Sequence, residues 1–320
     1  MTGARLILTL LAALAATPAA AAFPDHPVKV IVPYAAGGPA DVTARLIFAK
    51  AGEKLGQQFL IDNRGGAGGN IGTVAGAQAA PDGYTLTVIT PAQIINMTLF
   101  ASPGYDVARD FTPVSLFNTA PGLLLVHPKL GVGSLSELIA LAKKEPGKLS
   151  FASQGVGVAP HLMMEMIKTR AGIDLVHVPY RGSAPALNDL LAGNVPIMID
   201  SIVTGLPHVK SGALRGVAVS TAKRSPLAPD IPTIAESGLP GFDASLWYGV
   251  VAPAKTPPEA VAVLAQAIEA ALAAPDVRER LLAFGSTPAD PAGPAAFAKF
   301  LKDEEAKWPD VVRASGAPPQ

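Results

Sequence analysis

Three segments of the chain bring glycine, serine and proline together where a helix is about to begin: Pro33–Asp41, Ser153–His161 and Arg181–Pro185. Residues of these types at a strand-to-helix junction aim unpaired backbone amides outward. With the positive end of the helix dipole, those amides form a site for an anion. The chemistry this implies is capture of an acid without a cationic clamp. A helix N-terminus favours negative charge by about 0.3–1 kcal/mol, and a hydrogen bond to a charged group contributes about 1.5–3 kcal/mol. Several such contacts offset the ordering cost of binding and leave micromolar affinity, about −8 kcal/mol. Any one junction is adequately explained by turn chemistry and helix initiation. Recurrence at three equivalent places is what favours a common ligand.

Sharper chemistry has less support. Asp41 can accept a hydrogen bond from a ligand amine or hydroxyl, or cap its own helix, and capping is favoured. His161 and Glu165 sit four apart on one helix face, but no further ligand is placed nearby and His-Glu-x-x-His is absent, so no metal is expected. Arg181 can pair with a carboxylate, stand in solvent or bridge two parts of the fold. No Gly-x-Ser-x-Gly pentapeptide occurs, which argues against an exported serine hydrolase. The run Gly65–Gly72 follows a strand as a dinucleotide loop does, yet Ile71 stands where the third glycine belongs, and no cofactor is expected.

Positioning the junctions requires alternating strands and helices. Val28–Val32 reads as a short apolar strand and Asp41–Gly52 as a helix with Val42, Leu46 and Ala49 at helical spacing. Strand Phe59–Asp62, the glycine-rich run and a helix through Ala79 follow, and Pro81-Asp82-Gly83 turns the chain into strand Tyr84–Thr90. The alternation returns in strand Leu123–His127, helix Ser136–Lys144, strand Leu149–Ala152, helix Pro160–Thr169, strand Leu175–Val178, helix Pro185–Ala192 and strand Pro196–Asp200. Strands separated by single helices argue for parallel α/β sheets, whose ligand crevices lie outside the carboxyl ends of the strands.

Arg5, an apolar run from Leu6 to Ala16, the break at Thr17-Pro18 and the small residues Ala19–Ala22 are laid out as a secretory signal peptide, so residues 1–22 are expected to be cleaved and the protein to be periplasmic. The apolar run falls short of the roughly 20 residues that span a bilayer. Loss of Arg5 leaves 24 basic residues against 25 acidic ones, a nearly neutral mature chain with no charge run suited to nucleic acid. The chain has no cysteine, which removes disulfides and thiolate metal sites. Its roughly 300 mature residues are enough to bury a large core and to divide into two lobes.

The segments Val30–Tyr34 with Gly37, Gly38 and Asp41, Leu55–Gln57 with Asp62–Gly69, and Pro81–Leu86 closely resemble the Bug-type, TctC-like substrate-binding proteins of tripartite tricarboxylate transporters. So do Tyr105-Asp106 with Asp110–Val114, His177–Gly182, Arg224–Pro226, Pro232–Glu236, and Trp247–Gly249 with Ala252-Pro253. The resemblance is ordered and runs from about Pro24 to Trp308. It implies a class II periplasmic-binding-protein fold: two α/β lobes joined by two crossing strands, with the ligand cleft between them. On that pattern lobe 1 is 23–122 plus 246–320 and lobe 2 is 123–245, with crossings near Phe117–Leu124 and Ser245–Val250.

The resemblance also implies a monomeric receptor, not an enzyme, that closes on a small carboxylate and presents it to membrane permease subunits. A sensor subunit serving a membrane receptor is an alternative. By position it points to Tyr34, Ala36, Gly37, Gly38 and Asp41 on one side of the cleft. Facing them are Ser153, Gln154, Gly155, His161, Gly182, Ser183, Ala184 and Asp200. Trp247 and Tyr248 are expected to pack at the hinge rather than stack on an aromatic ligand. Two departures stand out: Ala36 replaces the usual proline before the paired glycines, and Asn96–Phe100 replaces an Asn-Pro-x-Leu-Tyr segment, a change expected to reshape one cleft wall.

Overall fold

The computed structural model describes residues 23–315 and 317, so the expected leader lies outside the described residues. The chain runs through β1 (Val28–Val32), α1 (Pro39–Leu55), β2 (Phe59–Asn63), α2 (Asn70–Ala77), β3 (Thr85–Ile89), α3 (Pro91–Leu99) and the single turn α4 (Val107–Asp110) into a long strand, β4 (Phe111–Val126). It continues through α5 (Leu135–Lys144), β5 (Ser150–Ser153), α6 (Ala159–Ala171), β6 (Val176–Pro179), α7 (Ser183–Ala192), β7 (Ile197–Ser201), α8 (Ile202–Lys210) and β8 (Arg215–Val219). Strand β9 (Ser245–Pro253), helices α9 (Pro258–Ala273) and α10 (Pro275–Ala283), the short β10 (Thr287–Pro288) and α11 (Gly293–Ser315) complete it.

Local chemistry sets the element ends. Helix α1 starts at Pro39, whose ring presets a helical φ, and stops at Gly56, which takes φ +66° where a side chain would be strained. Helix α3 starts with a capping box: the Thr90 side chain accepts from the first turn while Gln93 reaches back to the Thr90 backbone.

The strands form one curled sheet in the order β2-β1-β3-β9-β4-β7-β5-β6, with β8 and β10 also paired to β4. Within one half, β1 runs parallel to β2 and β3; within the other, β5 runs parallel to β6 and β7. At the junction between halves the two expected crossing strands are β4 and β9, which carry the chain across and run antiparallel to their neighbours. Residues 111–121 of β4 pair with β9, Gly122 pairs with β7, and Leu123–Val126 pair with β7 and β8 at once. Flanked on both sides, Leu123, Leu124, Leu125 and Val126 are wholly buried. Register shifts near Ser115, Asn118 and Leu125 add twist, which turns the two halves toward each other.

The C-terminal helix α11 packs against α3, β4, α6 and α9, so it touches both halves. Its Glu304 accepts indole N–H bonds from Trp308 at 2.7 Å and from Trp247 of β9 at 2.6 Å. A buried carboxylate between two indoles fixes the ring of Trp247, which also meets Phe297 and Phe300 edge-on. Among the described residues no single helix is long and apolar enough to cross a membrane.

Candidate functional site

Four strand-to-helix junctions, β1 to α1, β3 to α3, β5 to α6 and β6 to α7, open into one cavity of about 50 Å³ between the halves. Tyr34, Gly38–Ala40, Thr90 and Pro91 form one wall; Gln154, Val158–Pro160, Ser183 and Asp200 form the other; Leu246–Tyr248 of β9 close the back.

The helix starts differ in a way that matters for binding. Thr90 caps α3 with its own hydroxyl, but Gly38 before α1, Val158 before α6 and Gly182 before α7 make no side-chain cap bond. The first-turn amides of those helices have no intrahelical acceptor and so remain available to an anion. Neighbouring loop amides are already engaged. Gly37 donates to Asp41, Gly155 donates to the Ser153 hydroxyl, and Gly157 donates to His161 Nδ1. The donors left over are therefore concentrated at the helix starts. No lysine or arginine lines the cavity.

Asp200 is the acidic group in the wall and is fully buried. Burial pushes its carboxyl up, opposed by hydrogen bonds from Ser183, Thr204, the Ser201 amide and Gln154. The Ser183 hydroxyl donates at 2.5 Å and Thr204 at 2.7 Å to one oxygen, while Gln154 Nε2 at 3.0 Å and the Ser201 amide at 2.8 Å reach the other. Four donors on one carboxylate hold β7, α7, α8 and the β5–α6 loop in register.

Of the candidate residues, Tyr34, Gly38, Gln154, Ser183 and Asp200 line the cavity. Ala36, Gly37, Gly155 and Gly182 in the surrounding loops, Ser153 at the end of β5 and Ala184 in the first turn of α7 lie near the cavity without forming its lining. Asp41 is turned back onto its own loop, accepting from Gly37, from Arg45 at 3.0 Å and from Asn63 at 3.0 Å. Burial alone would raise its pKa, but Arg45, the Gly37 amide and Asn63 together hold it lowered. His161 is buried behind the wall, stacked on His177 with ring centroids 4.1 Å apart, and His177 Nε2 meets the Ser153 hydroxyl at 2.6 Å. Burial depresses both imidazoles, His161 to about 3 and His177 to about 4. Arg181 is exposed and not part of the lining. Among the described residues no three metal-ligating side chains gather, at His161 or elsewhere.

Thr90 and Pro91 are lining residues that sequence reasoning overlooked; the signal was the capping box Thr90 to Gln93 directly after a strand. Trp247 and Tyr248, expected only to pack, do pack and also form the back wall. Asn96, expected to alter a cleft wall, instead lies outside the lining, donating to the Gly68 carbonyl and to Asn70.

Around the cavity the halves meet backbone to backbone. A Cβ placed on Gly68 would strike the Val156 carbonyl oxygen, one on Gly65 would stand 3.1 Å from the Arg181 carbonyl, and one on Gly182 would stand 3.0 Å from Ala35. Glycine at these positions lets the rim close without side chains intervening.

The model of the tripartite tricarboxylate transporter family receptor matches residues 43–317. Protein BugT of Bordetella pertussis is 40% identical over 308 residues, which is 96% of this chain and 94% of BugT. A solved R. palustris protein with adipate is 38% identical and superposes with a TM-score of 0.90 over 93% of this chain and 100% of that one. MatC from Rhodopseudomonas palustris with bound malate is 37% identical, with a TM-score of 0.87 over 91% of this chain and 100% of MatC. The periplasmic binding protein BugD is 34% identical, with a TM-score of 0.89 over 93% of this chain and 100% of BugD.

Proposed function

The chain belongs to the tripartite tricarboxylate transporter receptor family, whose members are solute-binding proteins rather than enzymes, and from that premise we propose that it is a periplasmic receptor which captures a small carboxylate and hands it to the membrane permease subunits of such a transporter. The adipate and malate found with two of its structural relatives are small carboxylic acids of the class this reading assigns to the cleft. The observation that carries the reading is the set of uncapped starts of α1, α6 and α7 around one cavity, which supplies amide donors and dipole ends to a carboxylate without a counter-cation. In this reading lobe 1 is 23–122 plus 246–320 and lobe 2 is 123–245. The acid bridges donors from both, so it binds the closed arrangement more tightly and shifts the population toward it.

The test is thermal unfolding of the purified protein against C4–C8 dicarboxylates, tricarboxylates, and amino and aromatic acids. A ligand at about 100 times its Kd stabilises by about 2.7 kcal/mol, which appears as a melting point raised by several degrees. A flat response to every acid would refute the reading.

A further inference from the structure

The side chains of the cavity wall have their protons turned away from it. Gln154 Nε2 donates to both the Ile199 carbonyl and Asp200 at 3.0 Å, which fixes the amide orientation and leaves Oε1, buried and without a partner, as the group it offers. Ser183 gives its hydroxyl proton to Asp200. Thr90 stands 3.0 Å from Gln93 Oε1, and that atom is an acceptor because it also receives the Thr90 amide at 2.8 Å; the Thr90 proton therefore goes to Gln93. Tyr34, 2.8 Å from the Thr90 hydroxyl, must then donate to it. Trp247 directs its N–H to Glu304. Tyr34, Gln154 and Ser183 thus offer lone pairs only, while those of Thr90 are taken by Ala92 and Tyr34 and those of Asp200 by its four donors; the Tyr248 hydroxyl, beside Ser201, can donate or accept.

A plain dicarboxylate brings acceptors alone. It suits the amides of the helix starts but leaves Gln154 Oε1 desolvated. We infer that the cavity selects acids that carry their own hydrogen-bond donor, a hydroxyl or ammonium on the carbon chain, with Gln154 Oε1 as the residue that reads it. This inference rests on the carboxylate reading above and narrows it. A site built around a buried acceptor discriminates strongly, because an analogue without the donor strands the acceptor rather than merely losing a contact.

Calorimetric titration with acids matched except for the donor tests it: succinate against malate and aspartate, glutarate against 2-hydroxyglutarate, tricarballylate against citrate, and phenylacetate against mandelate. In every set that binds, the donor-bearing acid should be about 10- to 100-fold tighter. The hydroxyl and ammonium arms show which donor is taken, and Gln154→Leu should narrow the gap to within about 3-fold. Equal affinities within the wild-type sets, as when a water fills the place of the donor, would overturn the inference and leave the carboxylate reading standing. The same holds for a gap that Gln154→Leu, confirmed folded by circular dichroism, leaves unchanged. Failure of all the acids to bind would refute both.

Discussion

Gly68 is a position where closure should be sensitive to a single methyl group, because the atom it would strike is backbone. It lies at φ +64° with the Val156 carbonyl of the opposite half directly over its Cα, and the Asn96 amide 3.2 Å from where a Cβ would sit. In Gly68→Ala two effects combine: a left-handed alanine costs about 1–2 kcal/mol wherever it occurs, and the new methyl must displace a carbonyl across the seam. Gly172 separates them, since it takes nearly the same φ of +62° with nothing within 4 Å. Holding the halves about 1 Å further apart forfeits up to half of the dispersion well along the rim, and overpacking of this kind costs about 1–3 kcal/mol. Because that penalty applies only to the closed form, it should appear as about a 5- to 150-fold rise in Kd. Loss of unliganded melting temperature should be similar in Gly68→Ala and Gly172→Ala. Titration calorimetry with the tightest acid from the panel, beside unliganded melting curves of both variants, is the assay. Wild-type affinity in both variants would refute the claim that the Gly68–Val156 contact belongs to the closed, binding form.

Asp41→Asn removes the charge that gathers Gly37, Arg45 and Asn63, and unfolding should be easier by about 1–3 kcal/mol; an unchanged melting point would show that the loop does not depend on that clamp. Because the Asp41 pKa is lowered on folding, its contribution is present above about pH 4 and is lost as pH falls through the lowered value. His161 and His177 act in a higher window. Their folded values of about 3 and about 4 lie below the unfolded 6.5, so the unfolded chain binds more protons and stability declines as pH drops below 6.5. For His161 the loss reaches about 2 kcal/mol by pH 5, with less for the half-buried His177; His161→Gln should flatten this slope in pH-dependent melts, and an unaltered slope would count against it. Glu304→Gln weakens the acceptor shared by two indoles and should lower stability by about 1.5–3 kcal/mol; a melting point within error of wild type would mean those bonds contribute nothing net.

The parallel units of each half were legible because β1, β3 and β7 carry apolar stretches and the helices after β1, β3 and β5 have proline in their first turn. The connection between halves was harder to read. Strand β4 contains Pro113, Pro121 and Gly122 along with shifts in register, so its 16 residues lack a steady alternation and only the end beginning at Leu123 read as a strand. The junction glycines pointed to the cleft because turn chemistry is local. Which neighbouring amides are already engaged is not local: Asp41 takes up Gly37 through a loop bond, and His161 takes up Gly157, and neither choice shows in spacing. The direction of the Gln154 amide depends on Ile199 and Asp200, more than forty residues away, so the wall's preference for donors could emerge only from tertiary contacts.

The chain's two tryptophans are the pair whose indoles converge on Glu304, and one of them forms the back of the cavity. All of the protein's indole emission therefore originates from a single electrostatic environment, one edge of which is the back of the cavity. The molecule carries a native optical reporter of occupancy, readable in stopped flow without a label, and the same signal would follow the helix that ties both halves together.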